Sequence, residues 1–245
     1  MRNIKLVLEY DGSNYYGWQR LPGKKNTLQG RLEYILEQIT NEKIELFGAG
    51  RTDKDVHALG QVANFKTGCS LSLEEIELGL MTSLPKDLQV ISIEEVPARF
   101  HARYNVKKKE YVYQIWNSPR KNIFARNYFY HIAKPLDLVA MNQAKEYFLG
   151  KKDFKNFSAL KSKNKSTVRT IERIVIERSG EAVIITFLGD GFLYKMVRII
   201  TGTLIEVGLK EKSSADIKAM FYKPSRMTSG FTAPAYGLFL KKVYY

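Results

Sequence analysis

Cysteine, histidine and long apolar runs are all scarce in this chain of 245 residues. Its one cysteine, Cys69, cannot form an internal disulfide, so a reducing, cytoplasmic compartment is expected. Three histidines, His57, His101 and His131, and one cysteine are poor material for a His/Cys metal site. No apolar run reaches eighteen residues, which predicts that nothing crosses a membrane. The N-terminus enters a strand pattern at once, which argues against a signal peptide.

Positive charge, by contrast, is abundant. The formal net charge is +14, from 39 Lys and Arg against 25 Asp and Glu. Such an excess favours a polyanionic partner, with nucleic acid first. Two stretches, 107–121 and 151–173, interleave basic residues with aromatic rings, the mixture that neutralises phosphates and stacks on bases. The alternative is that these rings are ordinary core residues: Tyr111, Tyr113, Trp116, Phe154 and Phe157.

Apolar periodicity predicts a mixed α/β (α+β) chain. Its first half has strands over 4–10, 43–50, 60–68 and 87–96, with one helix from about residue 28 and another from about residue 73. Ser72 and Glu75 have the spacing of a capping box for the second helix. The order β-α-β-β-α-β is the split βαβ pattern of a ferredoxin-like unit.

The second half repeats this architecture without repeating its sequence. A strand over 109–117 precedes a helix over 135–150, a hairpin turning at Ser179–Gly180, helices over 192–208 and 213–223, and a last strand over 237–245. We place the domain boundary near residue 105, which predicts domains 1–105 and 106–245. The simplest architecture is two ferredoxin-like units with antiparallel or mixed sheets, joined across a basic active-site cleft.

The stretch "GAGRTDKDVHALGQVANF", residues 48–65, gathers ionisable residues beside strand-like sequence. Three interpretations compete. In a strand, Asp53, Asp55 and His57 would share a face and could bind a metal, but Arg51 would lie there too and repel a cation. A pair of carboxylates for acid–base chemistry disagrees with the nearby Arg, which favours both ionised forms. A single aspartate held ionised by an arginine could act as a nucleophile.

This stretch resembles the signature block of the tRNA pseudouridine synthase A family. The resemblance extends along the whole chain in the family's order: "YDGSNYYGWQRLPGKKNTLQGRLE", "RFHARYNVKKKEYVYQIWN", "DFKNFS", "FLYKMVRIITGTLIEVG" and "APAYGLFLKKVYY" are similar to five further blocks. It implies isomerisation of uridine to pseudouridine in the anticodon stem-loop of tRNA. It also implies no metal and no cofactor, and a homodimer that grips the tRNA.

The resemblance also implies roles for particular residues. Asp53 matches the catalytic aspartate, Tyr111 the tyrosine that stacks on the target uracil, and Arg198 the arginine that pairs with the aspartate. Arg51 matches a residue that helps to extrude the base. These roles agree with chemistry, because a stacked uridine must be flipped out to react and an aromatic ring offsets the lost stacking.

Two further residues are candidates for the pocket. Leu238, with Gly237, matches the end strand that lines the family's pocket, although plain core packing is the alternative. His57 is interpreted as scaffold or as an RNA contact in preference to a general base.

The chain departs from the family at Asp55, where glycine is usual, and in its Lys-rich segment 104–110. Both departures keep open a paralogue that performs the same chemistry on another structured RNA, such as ribosomal RNA. A non-catalytic RNA-binding module is the alternative of another class, and the presence of Asp53, Tyr111 and Arg198 argues against it.

Overall fold

The computed structural model describes residues 1–24, 26–159, 166–222 and 229–245. The chain divides into two compact units: Met1–Lys107 together with Phe239–Tyr245, and Lys108–Leu238. The mixed α/β class expected from the sequence is confirmed. Across the described ranges, no helix combines the length and the hydropathy needed to cross a bilayer.

The first unit has the predicted β-α-β-β-α-β order. Its elements are β1 Arg2–Tyr10, α1 Leu28–Thr40, β2 Phe47–Gly48, β3 His57–Thr67, α2 Leu73–Ser83 and β4 Leu88–Val96. The strands pair in the order β4-β1-β3-β2, and all three of these pairings are antiparallel. This order is that of a ferredoxin-like unit.

Local sequence signals place both helices of this unit correctly. Thr27 is the N-cap of α1, which buries Leu28, Leu32, Ile35 and Leu36, and left-handed Asn41 ends it. The capping box at α2 is confirmed, because Glu75 N–H donates to Ser72 Oγ and Ser72 N–H donates to Glu75 Oε2. The predicted strand over 43–50 is much shorter, at Phe47–Gly48. Carboxylates of Glu37 and Glu33 on α1 accept the N–H groups of residues 44 and 46, which a strand would otherwise use.

The second unit contains most of the remaining elements. They are β5 Lys108–Asn117, β6 Tyr130–Ile132, α3 Leu138–Ala144, β7 Gly150–Asp153, β8 Val168–Ser179, β9 Ala182–Gly189, α4 Met196–Gly208 and α5 Ser214–Tyr222. Strands pair in the order β5-β9-β8-β7, all antiparallel, and β6 lies parallel to β5. The hairpin turns at Ser179–Gly180 as predicted, with Gly180 at φ 57°.

Two predicted helices of this unit are shorter than expected. The helix expected over 135–150 is α3 followed by a 3-10 turn at Lys145–Phe148. The helix expected over 192–208 begins only at Met196, because Lys195 takes the left-handed conformation at φ 60°. The preceding residues therefore form a turn instead of a first helical turn.

The last strand, β10 at Leu238–Tyr244, makes the first unit discontinuous in sequence. From Phe239 onward it clusters with residues 1–107. It lies parallel to the start of β3, with Phe239 opposite His57 and Leu240 opposite Ala58. β3 is buried at nearly every position, so this strand is the centre of the first unit's core.

Candidate active site

The Asp53 turn, residues 51–56, connects β2 to β3. Val56 N–H donates to the Asp53 carbonyl oxygen at 3.2 Å, which closes a tight turn through Lys54 and Asp55. Strand β3 begins only at His57. Asp53 and Asp55 therefore precede the strand and do not alternate along it with His57. The shared face required by the metal interpretation is therefore not present. In the described part of the chain, no three His, Cys, Asp or Glu side chains are grouped as a metal site would need.

Asp55 owes its place in this turn to its backbone conformation. Its φ is 64°, in the left-handed region that glycine adopts without strain and that Asp tolerates better than most residues. A glycine at this position would satisfy the same requirement. The departure from the family pattern thus retains the turn geometry and adds a half-buried carboxylate.

Glycines of the N-terminal loop allow its backbone to lie directly against the Asp53 turn. A Cβ on Gly12 would come within 2.1 Å of the Val56 carbonyl oxygen, and one on Gly17 within 2.7 Å of the Thr52 carbonyl oxygen. Gly17 is also left-handed, at φ 94°. The same Thr52 oxygen accepts the Trp18 N–H at 3.1 Å. No side chain larger than hydrogen fits at Gly12 without displacing the turn.

A buried polar network holds the backbone on both sides of Arg51. The Tyr10 hydroxyl and Thr52 Oγ1 are hydrogen-bonded at 2.8 Å, and Gln61 Nε2 donates to the Gly50 carbonyl oxygen at 2.9 Å. Burial raises the pKa of the Tyr10 hydroxyl, so it remains neutral and can donate. Hydrogen bonds therefore fix the backbone of the Asp53 turn and its flank at Gly50, Thr52 and Val56.

His57 is an internal support of this arrangement. Its side chain is 1% exposed and stacks on Phe239 with ring centroids 4.6 Å apart. Its Nδ1 lies 3.0 Å from the Gly12 backbone nitrogen and 3.1 Å from Asp11 Oδ1. The imidazole thus links β3 and β10 to the glycine that supports the turn. In the same turn, Asp53 is half-buried and Arg51 is exposed.

In the second unit, Tyr111 lies on β5 and is mostly buried. Its ring meets Phe192 edge-to-face, with centroids 5.3 Å apart and planes at 84°. Phe192 belongs to the turn that precedes α4, the turn created by left-handed Lys195. Leu238 is also buried, and a Cβ on the adjacent Gly237 would come within 2.8 Å of the Tyr113 ring.

Arg198 lies in the first turn of α4 and is half-buried. Its Nε donates to the Ala233 carbonyl oxygen at 2.7 Å, while Ala233 N–H donates to the Arg198 carbonyl oxygen at 3.1 Å. A Cβ on Gly202 would come within 2.0 Å of the Phe231 carbonyl oxygen, so this segment lies directly on the helix.

The Tyr113 hydroxyl binds the same segment, donating to the Pro234 carbonyl oxygen at 2.9 Å. Burial raises the pKa of Tyr113 well above its usual value, which leaves the hydroxyl neutral and able to donate. Segment 231–234 is therefore bound to α4 through Arg198 and to β5 through Tyr113.

The structure distributes the candidate residues over the two units. Arg51, Asp53 and His57 belong to one short segment of the first unit, and Tyr111, Arg198 and Leu238 to the second. Sequence reasoning did not identify the supports, namely Tyr10, Gly12, Gly17, Thr52, Phe192 and Ala233. The glycines of "YDGSNYYGW" were the available signal, since a loop that must approach another backbone closely needs them.

Known proteins similar to this chain include one family and several individual relatives. A profile of the family described as tRNA pseudouridine synthase matches residues 6–105 and 144–245. "tRNA pseudouridine synthase A" of Bacillus sp. (strain KSM-64) is 45% identical over 243 residues, 99% of each chain. The protein of the same name from Acetivibrio thermocellus is 44% identical over 245 residues, all of each chain. A chain of the archaeal box H/ACA sRNP Nop10–Cbf5 complex has 11% identity and a TM-score of 0.37, covering 84% of this chain and 42% of that one.

Proposed function

Since this chain belongs to the tRNA pseudouridine synthase family, we propose that it converts uridines of the tRNA anticodon stem-loop to pseudouridine with Asp53 as the nucleophile. The chain is an isomerase that acts on tRNA. The choice of stem-loop and the roles of individual residues are what the proposal adds.

The observation that carries the proposal is the construction of the Asp53 turn. Hydrogen bonds and close backbone contacts hold the residues around Asp53, while its own side chain remains half-buried beside exposed Arg51. A carboxylate in a pre-formed turn has little orientational freedom to lose when substrate binds. Such preorganisation is what a nucleophile requires.

The reaction rearranges bonds within one nucleotide. The N1–C1′ glycosidic bond breaks, Asp53 attacks the nucleotide at the ribose or at the base, and the uracil rotates. A C5–C1′ bond then forms, C5 loses its proton, and N1 gains one. The atoms of substrate and product are the same, so the balance requires no oxidant, reductant or co-substrate.

The remaining site residues take supporting roles. Tyr111 stacks on the flipped uracil, a contact worth about 1–3 kcal/mol per base. Arg51 helps to extrude the base, and Arg198 supplies a guanidinium to the bound nucleotide. Leu238 contributes apolar pocket wall. His57, whose imidazole is almost completely enclosed, supports the turn through Gly12.

We further propose that the enzyme acts in the cytoplasm as a homodimer. A tRNA substrate and a single cysteine both suit a reducing compartment. The excess of 14 positive charges suits a partner as large and as negatively charged as tRNA.

The decisive experiment compares Asp53→Ala and Asp53→Asn with Asp55→Asn on a tRNA transcript that carries no modifications. Pseudouridine formation is measured by release of tritium from uridines labelled at C5. Both Asp53 variants should lose activity by at least about a thousandfold, because nothing replaces the nucleophile, and should still bind tRNA. Asp55→Asn is the matched control in the same turn and should remain active, since Asn also tolerates positive φ.

Activity that survives in Asp53→Ala would remove Asp53 from the mechanism. Mapping of pseudouridines in a strain that lacks the gene tests the substrate. Loss from the anticodon stem-loop supports the proposal, whereas loss confined to ribosomal RNA replaces it with the second substrate. A wild-type protein that binds tRNA but forms no pseudouridine would be a non-catalytic RNA-binding module.

A further inference from the structure

Three aromatic rings of the first unit form a row of tilted contacts that ends at the surface. The His101 imidazole lies against the Phe47 ring, with centroids 4.8 Å apart and planes at 45°, and against the Tyr104 ring, with centroids 4.3 Å apart and planes at 41°. Phe47 and His101 are half-buried, and Tyr104 is 75% exposed. We call Phe47, His101 and Tyr104 the ring ladder.

The segment that carries the ring ladder is internally hydrogen-bonded. His101 N–H donates to Asn105 Oδ1 at 2.7 Å, and Arg103 N–H donates to His101 Nδ1 at 3.1 Å. Between these, Ala102 is fully buried, and its N–H donates to Asn64 Oδ1 on β3 at 2.8 Å. Tyr104 is thus presented by a backbone anchored to the central strand, although its own ring remains mostly in solvent.

Positive charge surrounds the outer rings. The Arg103 guanidinium lies 6.0 Å from the Tyr104 ring centroid. Burial, together with the charges of Arg103 and Lys66, lowers the pKa of His101, which keeps the imidazole neutral at neutral pH. Among the described residues, neither Arg103 nor Lys66 forms an ion pair with a carboxylate. Both cations therefore remain available to an anionic ligand.

The ring ladder is well separated from the nucleophile within the same unit. Phe47 pairs with Asn64 near the far end of β3, whereas the Asp53 turn precedes His57 at its beginning. At about 3.3 Å per strand residue, Phe47 lies roughly 20 Å along β3 from the start of the strand, which the Asp53 turn precedes. A nucleotide bound at the ladder would therefore lie several nucleotides away from a uridine positioned at Asp53.

We propose that the ring ladder is a second RNA-binding site, at which the base of an unpaired tRNA nucleotide stacks on Tyr104 while Arg103 and Lys66 bind its flanking phosphates. The inference rests on the proposed function, because it takes tRNA as the ligand. An exposed aromatic ring with cations beside it is the arrangement that binds single-stranded nucleic acid without reading its sequence. Exposed rings beside unpaired cations suit a polyanion better than an apolar protein surface.

The test compares Tyr104→Ala with Tyr104→Phe and with Tyr222→Ala, using equilibrium binding of an unmodified tRNA transcript. Tyr222 is the matched control, because it is a tyrosine with the same 75% exposure on α5 of the other unit. Tyr104→Ala should raise the Kd for tRNA by about 5- to 100-fold, the loss of one stacked base. Tyr104→Phe and Tyr222→Ala should bind as the wild type does.

Turnover separates this site from the reacting residues. Tyr104→Ala should raise KM with little change in kcat, because uniform binding is lost while the chemical step is intact. A Kd unchanged in Tyr104→Ala, or raised equally in Tyr222→Ala, overturns the proposal. A change from dimer to monomer in sedimentation of Tyr104→Ala would assign the ladder to a contact between two copies of the chain and would also overturn it.

Failure of the proposed function gives a different result. The binding measurement involves no chemistry. If the wild type forms no pseudouridine but Tyr104→Ala binds tRNA more weakly than the wild type, the RNA-binding site at the ring ladder is supported and the proposed enzymatic function is refuted. Conversely, if Tyr104→Ala forms pseudouridine and binds tRNA as the wild type does, the proposed enzymatic function is supported and RNA binding at the ring ladder is refuted.

Discussion

Segments 100–105 and 151–157 both interleave aromatic rings with basic residues, and the folded chain uses them in opposite ways. In the first, Tyr104 is 75% exposed at the end of the ring ladder. In the second, Phe154 and Phe157 are fully buried and pack with Phe148 and Phe221, at centroid distances of 5.1–6.3 Å. The same sequence pattern therefore belongs to the exposed surface in one place and to a hydrophobic core in the other.

The cationic side chains of the two segments, Arg103 and Lys152, differ in the same way. Lys152 Nζ lies 5.3 Å from the Phe221 ring centroid and donates to the Tyr147 carbonyl oxygen, and partial burial lowers its pKa. The Lys152 ammonium thus interacts with groups of the second unit itself. The interpretation of Phe154 and Phe157 as base-stacking rings is wrong, and the alternative that they are core residues is confirmed. Residues 160–165 of that basic stretch lie outside the described residues.

Truncation of Phe157 should have the largest effect, on the free energy of unfolding. Phe157→Ala removes a fully buried side chain that contacts three other rings, so the free energy of unfolding should fall by about 3–5 kcal/mol. Tyr104→Ala is the paired variant and should change it by no more than about 0.5 kcal/mol. Urea titrations monitored by circular dichroism provide both values. Equal losses would show that exposure in the fold does not distinguish the two segments.

Salt dependence should separate the cations of the two segments. Arg103→Gln should reduce the slope of log Kobs for tRNA against log salt concentration by about one, because one phosphate contact is lost. Lys152→Gln should leave the slope unchanged, since its ammonium is bonded internally. Binding isotherms at four or more salt concentrations give the slopes. A larger effect of Lys152 would mean that segment 151–157 is the RNA-binding one.

The smallest effect concerns protonation of His101. Its pKa should lie below the ordinary value of 6.5, chiefly through burial and secondarily through Arg103 and Lys66. The unfolded state then binds the proton more tightly, so the stabilising contribution is complete above about pH 6.5 and is lost as pH falls through the folded-state pKa. Proton NMR titration measures the midpoint. Arg103→Gln should raise it while leaving it below 6.5, and a wild-type midpoint at or above 6.5 would contradict the charge environment of the ring ladder.

Prediction from sequence succeeded where a few adjacent residues determine the structure. The capping box of Ser72 and Glu75, the apolar stripe of α1 and the turn at Gly180 depend on neighbours within four residues. It failed at β2, where Glu33 and Glu37 on α1 take the backbone donors of a predicted strand. Those partners lie seven to thirteen residues away, beyond the reach of a periodicity argument.

The same distinction between local and distant determinants applies to the candidate site. Asp53, Arg51, Tyr111 and Arg198 were identified by the motifs that carry them, and their roles stay predictions until the variants are measured. His57 was interpreted as scaffold, but Gly12 and Tyr10 were not identified as supports, because they act through residues more than forty positions away in the sequence. Asp55 shows the limit of a motif most clearly. Its difference from the usual glycine was visible, but its left-handed backbone became apparent only in the fold.

The sequence by itself determined the family, the order of helices and strands in the first unit, and the identity of the candidate nucleophile, because motifs and capping signals are local and chemically specific. Only the tertiary structure decided which aromatic rings are buried, that β10 lies parallel to β3 after a separation of more than 170 residues, and that glycines bring the N-terminal loop onto the Asp53 turn. Burial and backbone contact depend on residues that are distant in the chain. The pattern of rings and lysines around Phe157 and Tyr104 therefore could not reveal which would face water.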